Sequence, residues 1–116
     1  MDKRILLAIS FLSAPLPCAA ADLSGTWVVS GMGTPTCTFT QSGDFFRGPC
    51  EGPAAKGEGF GETDGKTVNW TYLWAAKDDG HAGAFVFSGQ VGPDGSMSGP
   101  VLNSNGTSGL FIAKRK

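Results

Sequence analysis

The stretch Cys37-Thr-Phe-Thr-Gln-Ser-Gly-Asp-Phe-Phe-Arg-Gly-Pro-Cys50 decides the fold. Folded at Ser42-Gly43-Asp44-Phe45, it sets Cys37 against Cys50, Phe39 against Gly48 and Gln41 against Phe46, with a turn at the centre. Alternation then puts Cys37, Phe39, Phe46, Gly48 and Cys50 on one face and Thr36, Thr38, Thr40, Arg47 and Glu51 on the other. That is the pattern of a half-buried antiparallel ribbon. In an oxidising compartment the two cysteines join as a disulfide, which closes a loop of about 14 residues and contributes on the order of 3 kcal/mol in the chain-entropy model. A free buried pair, a nucleophile and a metal-ligand pair are the competing readings; two cysteines and a single histidine are few soft ligands for a metal.

Upstream, Met1 to Ala21 reads as a signal peptide: Lys3-Arg4, an apolar run from Ile5 to Leu16, and Ala19-Ala20-Ala21 before Asp22. Cleavage is expected after Ala21, leaving residues 22–116 as one small domain in the periplasm or outside the cell. The apolar run is shorter than the roughly 20 residues a membrane-spanning helix needs. Cys18 suggests a lipid anchor, but it follows Pro17 where a small residue is required, and it is read as discarded with the signal. With Lys3, Arg4 and Asp2 set aside, seven basic residues face nine acidic ones, and three of the seven are Lys114-Arg115-Lys116. No cluster of cations occurs within the fold, so nucleic acid is not an expected partner.

Working outward from the hairpin, Leu23 to Val29 reads as a first strand, followed by a break at Gly31 to Pro35. Lys56-Gly-Glu-Gly-Phe-Gly-Glu62 has glycine at every second position and reads as a weak fourth strand that permits a tight bend or a close backbone approach. Thr67 to Trp74 is the clearest strand, with Val68, Trp70, Tyr72 and Trp74 on one face. The polar stretch Lys77 to Gly83 leads to a sixth strand, Ala84 to Val91, with Phe85 and Phe87 inward. Turns at Gly92 to Gly95 and Asn103 to Gly106 bracket a seventh strand, in which Pro100 must sit where no ladder bond is needed. Ser108 to Ala113 is the eighth. No helical period is sustained anywhere. The expected fold is all-β, an eight-stranded antiparallel up-and-down meander closed into a barrel, because closure removes unpaired edges; a two-sheet sandwich is the alternative.

Three short stretches in this order resemble the avidin and streptavidin family, within the wider group of small barrels that includes lipocalins. They are Leu23-Ser-Gly-Thr-Trp27, Thr67-Val-Asn-Trp70 and Phe87-Ser-Gly-Gln90. The resemblance implies an eight-stranded barrel with Trp70 walling a pocket. It does not extend to the polar groups that hold biotin: Val29, Gly33 and Cys50 stand where that family has an asparagine, a serine and a tyrosine, and strand seven with its following loop has no tryptophan. A site built to hydrogen-bond a ligand loses orders of magnitude without those groups. Lipocalin-like barrels also place a cation from the last strand across a first-strand tryptophan. Here Gly25-x-Trp27 with Lys114 or Arg115 would close the barrel's end in that way.

The candidate ligand-binding residues are Trp70, Tyr72, Trp74, Phe85 and Phe87, lining an apolar cavity; the disulfide is Cys37 to Cys50, and Trp27 with Arg115 closes the barrel. Enzymatic residues are not expected. His81, the single histidine, lies beside Asp78 and Asp79 in a glycine-containing loop that reads as solvated rather than as a metal site. Glu58 and Glu62 fall on the outer face of one strand, where water keeps carboxylates ordinary. Asn69-Trp-Thr and Asn105-Gly-Thr match the glycosylation pattern by coincidence. No cofactor is implied. The favoured reading is a small exported, non-enzymatic barrel that holds a small apolar molecule. The alternatives are an envelope protein-binding module, such as an inhibitor of a secreted enzyme acting through 77–83 or the loop near Gly31, and a filled structural barrel.

Overall fold

The computed structural model describes residues 22–116, so the signal peptide, its cleavage after Ala21 and Cys18 lie outside the described residues. Eight strands follow one another: β1 (Gly25–Ser30), β2 (Thr36–Ser42), β3 (Phe45–Glu51), β4 (Ala55–Thr63), β5 (Thr67–Ala76), β6 (Ala82–Val91), β7 (Met97–Asn103) and β8 (Ser108–Arg115). Each pairs antiparallel with the next, and β8 returns to β1, giving a closed up-and-down barrel. No helix of the described residues is long and apolar enough to cross a membrane.

The hairpin register is the one its sequence implies, with Cys37 opposite Cys50, Thr40 opposite Arg47 and Gln41 opposite Phe46. The cysteines are bonded, with Cα atoms 4.0 Å apart. β5 and β6 are each two residues longer than the alternation alone suggested. Ala75 pairs with Ala82 and the connecting loop contracts to 77–81. β8 likewise runs on to Arg115, which pairs with Trp27. Along β6 and β7 the ladder holds at Phe87 with Val101 and at Gln90 with Ser98, and skips Pro100, which has no N–H to give it.

The turns carry their own supports. The Asp64 carboxylate accepts from the backbone N–H groups of Lys66 and Thr67 and from the Thr67 hydroxyl. Asp94 does the same for Ser96, and the Asn105 side chain for Thr107. Such side chains substitute for backbone partners in a tight turn. The carboxyls of Asp64 and Asp94 are accordingly held below the ordinary carboxylate range, by backbone N–H donors first at Asp64 and by the Ser96 hydroxyl first at Asp94.

β4 explains the spacing of its glycines. Gly57, Gly59 and Gly61 pair with Trp74, Tyr72 and Trp70 of β5. A β-carbon on Gly61 would sit 2.4 Å from that of Trp70, and one on Gly59 would sit 2.9 Å from both Cys50 Sγ and Phe39 Cε1. Gly59 thus leaves room for the disulfide and the Phe39 ring, while Gly57 and Gly61 let the β4 backbone approach the Leu73 and Asn69 carbonyls of β5.

The barrel interior is apolar, and its two ends differ. At the end holding Asp22 and the C-terminus, Leu23 and Trp27 are buried as a plug. Trp27 Nε1 donates to the Leu23 carbonyl at 2.8 Å, and the Arg115 guanidinium lies 4.5 Å from the centroid of the Trp27 ring. Arg115 also donates to the carbonyls of Ser24 and Asp22. The opposite end is ringed by the loops 31–35, 52–54, 77–81 and 104–107.

Candidate functional site

Between the plug and the loops lies a filled aromatic tier. Trp70 and Phe87 are stacked, and Phe39 and Phe111 each meet Trp70 edge-on, at 5.4 and 6.3 Å between centroids. Phe46 packs against Phe39 at 4.9 Å. These rings are buried and interlock in the edge-to-face geometry that aromatic quadrupoles favour.

Above them stands a second aromatic group. Tyr72 and Phe85 are cross-strand partners, and Trp74 faces Gly83. The Phe85 ring stands 6.0 Å from both Tyr72 and Trp74, tilted by 31° and 33°. These three, with Gly33 and Thr34 of the first loop and His81 of the third, line a depression of about 450 Å³ at the mouth. Two glycines shape it. A β-carbon on Gly83 would lie 2.4 Å from Trp74 Cζ2, and one on Gly33 would lie 2.9 Å from Phe85 Cε2. Thr34 has a φ of 39°, a left-handed conformation costly for a β-branched side chain and typical of segments held in place by a site.

Of the five residues the sequence nominated, the structure brings Tyr72, Trp74 and Phe85 together at the mouth and leaves Trp70 and Phe87 in the filled tier, outside the lining of this depression. Arg115, not Lys114, crosses Trp27. Gly33, Thr34 and Gly83 were not nominated. Their role depends on how the loops fold back over the rings; the run Gly31 to Pro35 signalled a chain break and an alternative docking loop, and the resemblance set Gly33 where that family has a ligand-binding serine.

The polar groups at the mouth are arranged asymmetrically. Tyr72 Oη and Trp74 Nε1 are buried without a hydrogen-bond partner; Trp70 Nε1, in the tier below, shares this property. Burial raises the Tyr72 phenol above its ordinary value, with the charge of Glu51 adding to the effect, so the hydroxyl keeps its proton. Around the rim, Lys77 Nζ pairs with Glu51 at 2.7 Å. His81 Nδ1 is bonded to the Asp79 carboxylate. Hydrogen bonds from the His81 backbone N–H, and then from its ring, hold Asp79 below the usual carboxylate range. Asp78, Asp79 and His81 have ligand atoms within 4.8 Å of one another, but all three are exposed and their hydrogen bonds are those of the turn itself.

A second, larger depression of about 630 Å³ lies against the outer face, beside Phe45, Phe60, Thr71 and Val86, and Trp70 and Phe87 are among its lining. Phe45 and Phe60 are 66% and 41% exposed there, and Arg47 pairs with Glu58 across it at 3.2 Å. Its walls are largely strand exteriors, whereas the mouth is walled by the barrel's own inward side chains, among them Tyr72 and Trp74 with their unpaired polar atoms. The mouth is therefore the stronger candidate. No protein-family model, no curated protein and no solved structure matches this chain.

Proposed function

We propose that this chain is a small exported, non-enzymatic binding protein whose barrel holds a small apolar molecule at its open mouth, in the manner of avidin-like and lipocalin-like barrels. The observation that carries this reading is the depression of about 450 Å³ walled by Tyr72, Trp74 and Phe85. Small-molecule sites are concave, mostly apolar and about 300 to 1,000 Å³ in volume. Tyr72, Trp74 and Phe85 rise from the same two strands as the stacked Trp70 and Phe87, which are part of the rigid core. Export is supported by the signal-like features of residues 1–21 and by the disulfide, since such bonds persist in oxidising compartments.

A protein-docking module is the second reading, favoured by the exposed Phe45 and Phe60. The two separate cleanly: Phe45→Ser with Phe60→Ser leaves mouth binding intact under the first and abolishes function under the second. Native mass spectrometry of protein purified from the envelope tests the first. A retained small molecule is expected. A bare protein that also ignores a panel of lipophiles overturns it.

A further inference from the structure

The mouth holds more information about its ligand than its volume. Tyr72 is 2% exposed, yet its hydroxyl meets no protein partner, and the indole N–H of Trp74, on the same face of β5, is buried and equally unpaired. Buried polar groups in folded proteins are nearly always hydrogen-bonded, so two orphans on residues that line one depression call for an explanation. Their chemistry is specific. An indole N–H only donates, and a phenol that keeps its proton is ready to donate. The missing partner is thus an acceptor.

The charge around the mouth narrows the choice. Asp78 lines it, Asp79 is adjacent, and Glu51 is near enough to bear on the Tyr72 phenol. Among the described residues near the rim, the Lys77 ammonium is paired with Glu51. Lys56 lies near enough to Glu51 to lower its carboxyl, but the lining itself contains Asp78 and no lysine or arginine, so an anion entering here meets a carboxylate first. An ammonium would be welcomed by the carboxylates and the aromatic faces, but it would leave the Trp74 N–H unpaired. The three ring walls favour a flat apolar body.

Resting on the proposed binding role, we infer that the ligand is a neutral, flat molecule bearing a carbonyl-type acceptor, as in a ketone, amide or ester, received by Tyr72 Oη and Trp74 Nε1.

Four naphthalenes of matched size test this by calorimetric titration of the whole exported chain. They are 2-acetylnaphthalene, 2-ethylnaphthalene, 2-naphthoate and (2-naphthylmethyl)trimethylammonium. The ketone should bind about tenfold or more tighter than the ethyl compound, the difference one well-made hydrogen bond gives, and tighter than either ion. Tyr72→Phe and Trp74→Phe should each shrink that preference while the ethyl compound still binds. Equal binding of ketone and hydrocarbon would overturn the acceptor claim and leave the pocket standing, and so would tighter binding of either ion. Failure of all four to bind would overturn the binding role itself. The wild-type comparison decides the matter even if neither variant folds.

Discussion

Trp70 and Phe87 face each other across β5 and β6 with ring centroids 3.8 Å apart and planes 7° from parallel. On one side of this stack the barrel is sealed by Trp27 and Leu23, and on the other it ends in Tyr72, Trp74 and Phe85, which line the depression at the mouth. Beside the stack β4 runs close to the β5 backbone: a β-carbon on Gly61, the partner of Trp70, would meet the Asn69 carbonyl at 2.2 Å and Trp70 Cβ at 2.4 Å. Gly61→Ala should therefore cost more than about 2 kcal/mol, in the range of overpacked cores. Gly43→Ala, at a φ of 62° with nothing near the new methyl, should cost only about 1 kcal/mol for its left-handed backbone. Urea denaturation of the two variants checks the ordering.

Arg115 joins the last strand to the first through the face of Trp27 and the carbonyls of Ser24 and Asp22. Arg115→Met keeps much of the apolar stem and removes the charge and the donors. A loss of about 1 to 2 kcal/mol is expected, with the near-ultraviolet circular dichroism of Trp27 altered. An unchanged melting curve would mean that the seam is held by the β1–β8 ladder alone.

Tyr72→Phe removes a buried hydroxyl that has no partner within the protein. Leaving such a group unsatisfied costs about 1 to 3 kcal/mol, so without ligand the variant should be more stable than the parent by about 1 kcal/mol. Thermal unfolding measures this directly; a destabilised variant would show that the hydroxyl has a partner in solution.

Acid should weaken the turns before it weakens the core. Asp64 has its carboxyl held low by donors from Thr67 and Lys66. A group depressed in the folded state contributes stability that is present above its unfolded value, about 3.9, and is lost as pH falls through the folded one. The parent should thus exceed Asp64→Asn in stability at neutral pH, and the gap should close as pH falls well below 4. Denaturation midpoints across that range follow the closing. A gap independent of pH would assign the effect to packing.

Most of the architecture was legible in the chain because alternation and turn chemistry are local. The Cys37 to Cys50 hairpin carries its own register, and Pro100 announced the gap in the β6–β7 ladder. The division of the aromatic stripe on β5 was not legible. Val68, Trp70, Tyr72 and Trp74 are equivalent by alternation, and only closure of the barrel, with Leu23 and Trp27 at one end, makes Trp70 part of the buried tier and Trp74 part of the mouth. Gly33 and Thr34 were hidden for a similar reason: their contact with the mouth spans from the first loop to β6, a distance that no short pattern encodes. The alternating glycines of β4 signalled close approach, but their partners emerged only with the strand pairing.

The most direct test of the account is a proton–nitrogen correlation spectrum of the three tryptophan indoles during titration with 2-acetylnaphthalene. Trp27 already donates to Leu23 and serves as the internal reference. The account predicts that the Trp74 indole proton moves downfield to saturation while that of Trp27 stays fixed. A saturable shift confined to Trp27, or no saturable shift at Trp74, would contradict it.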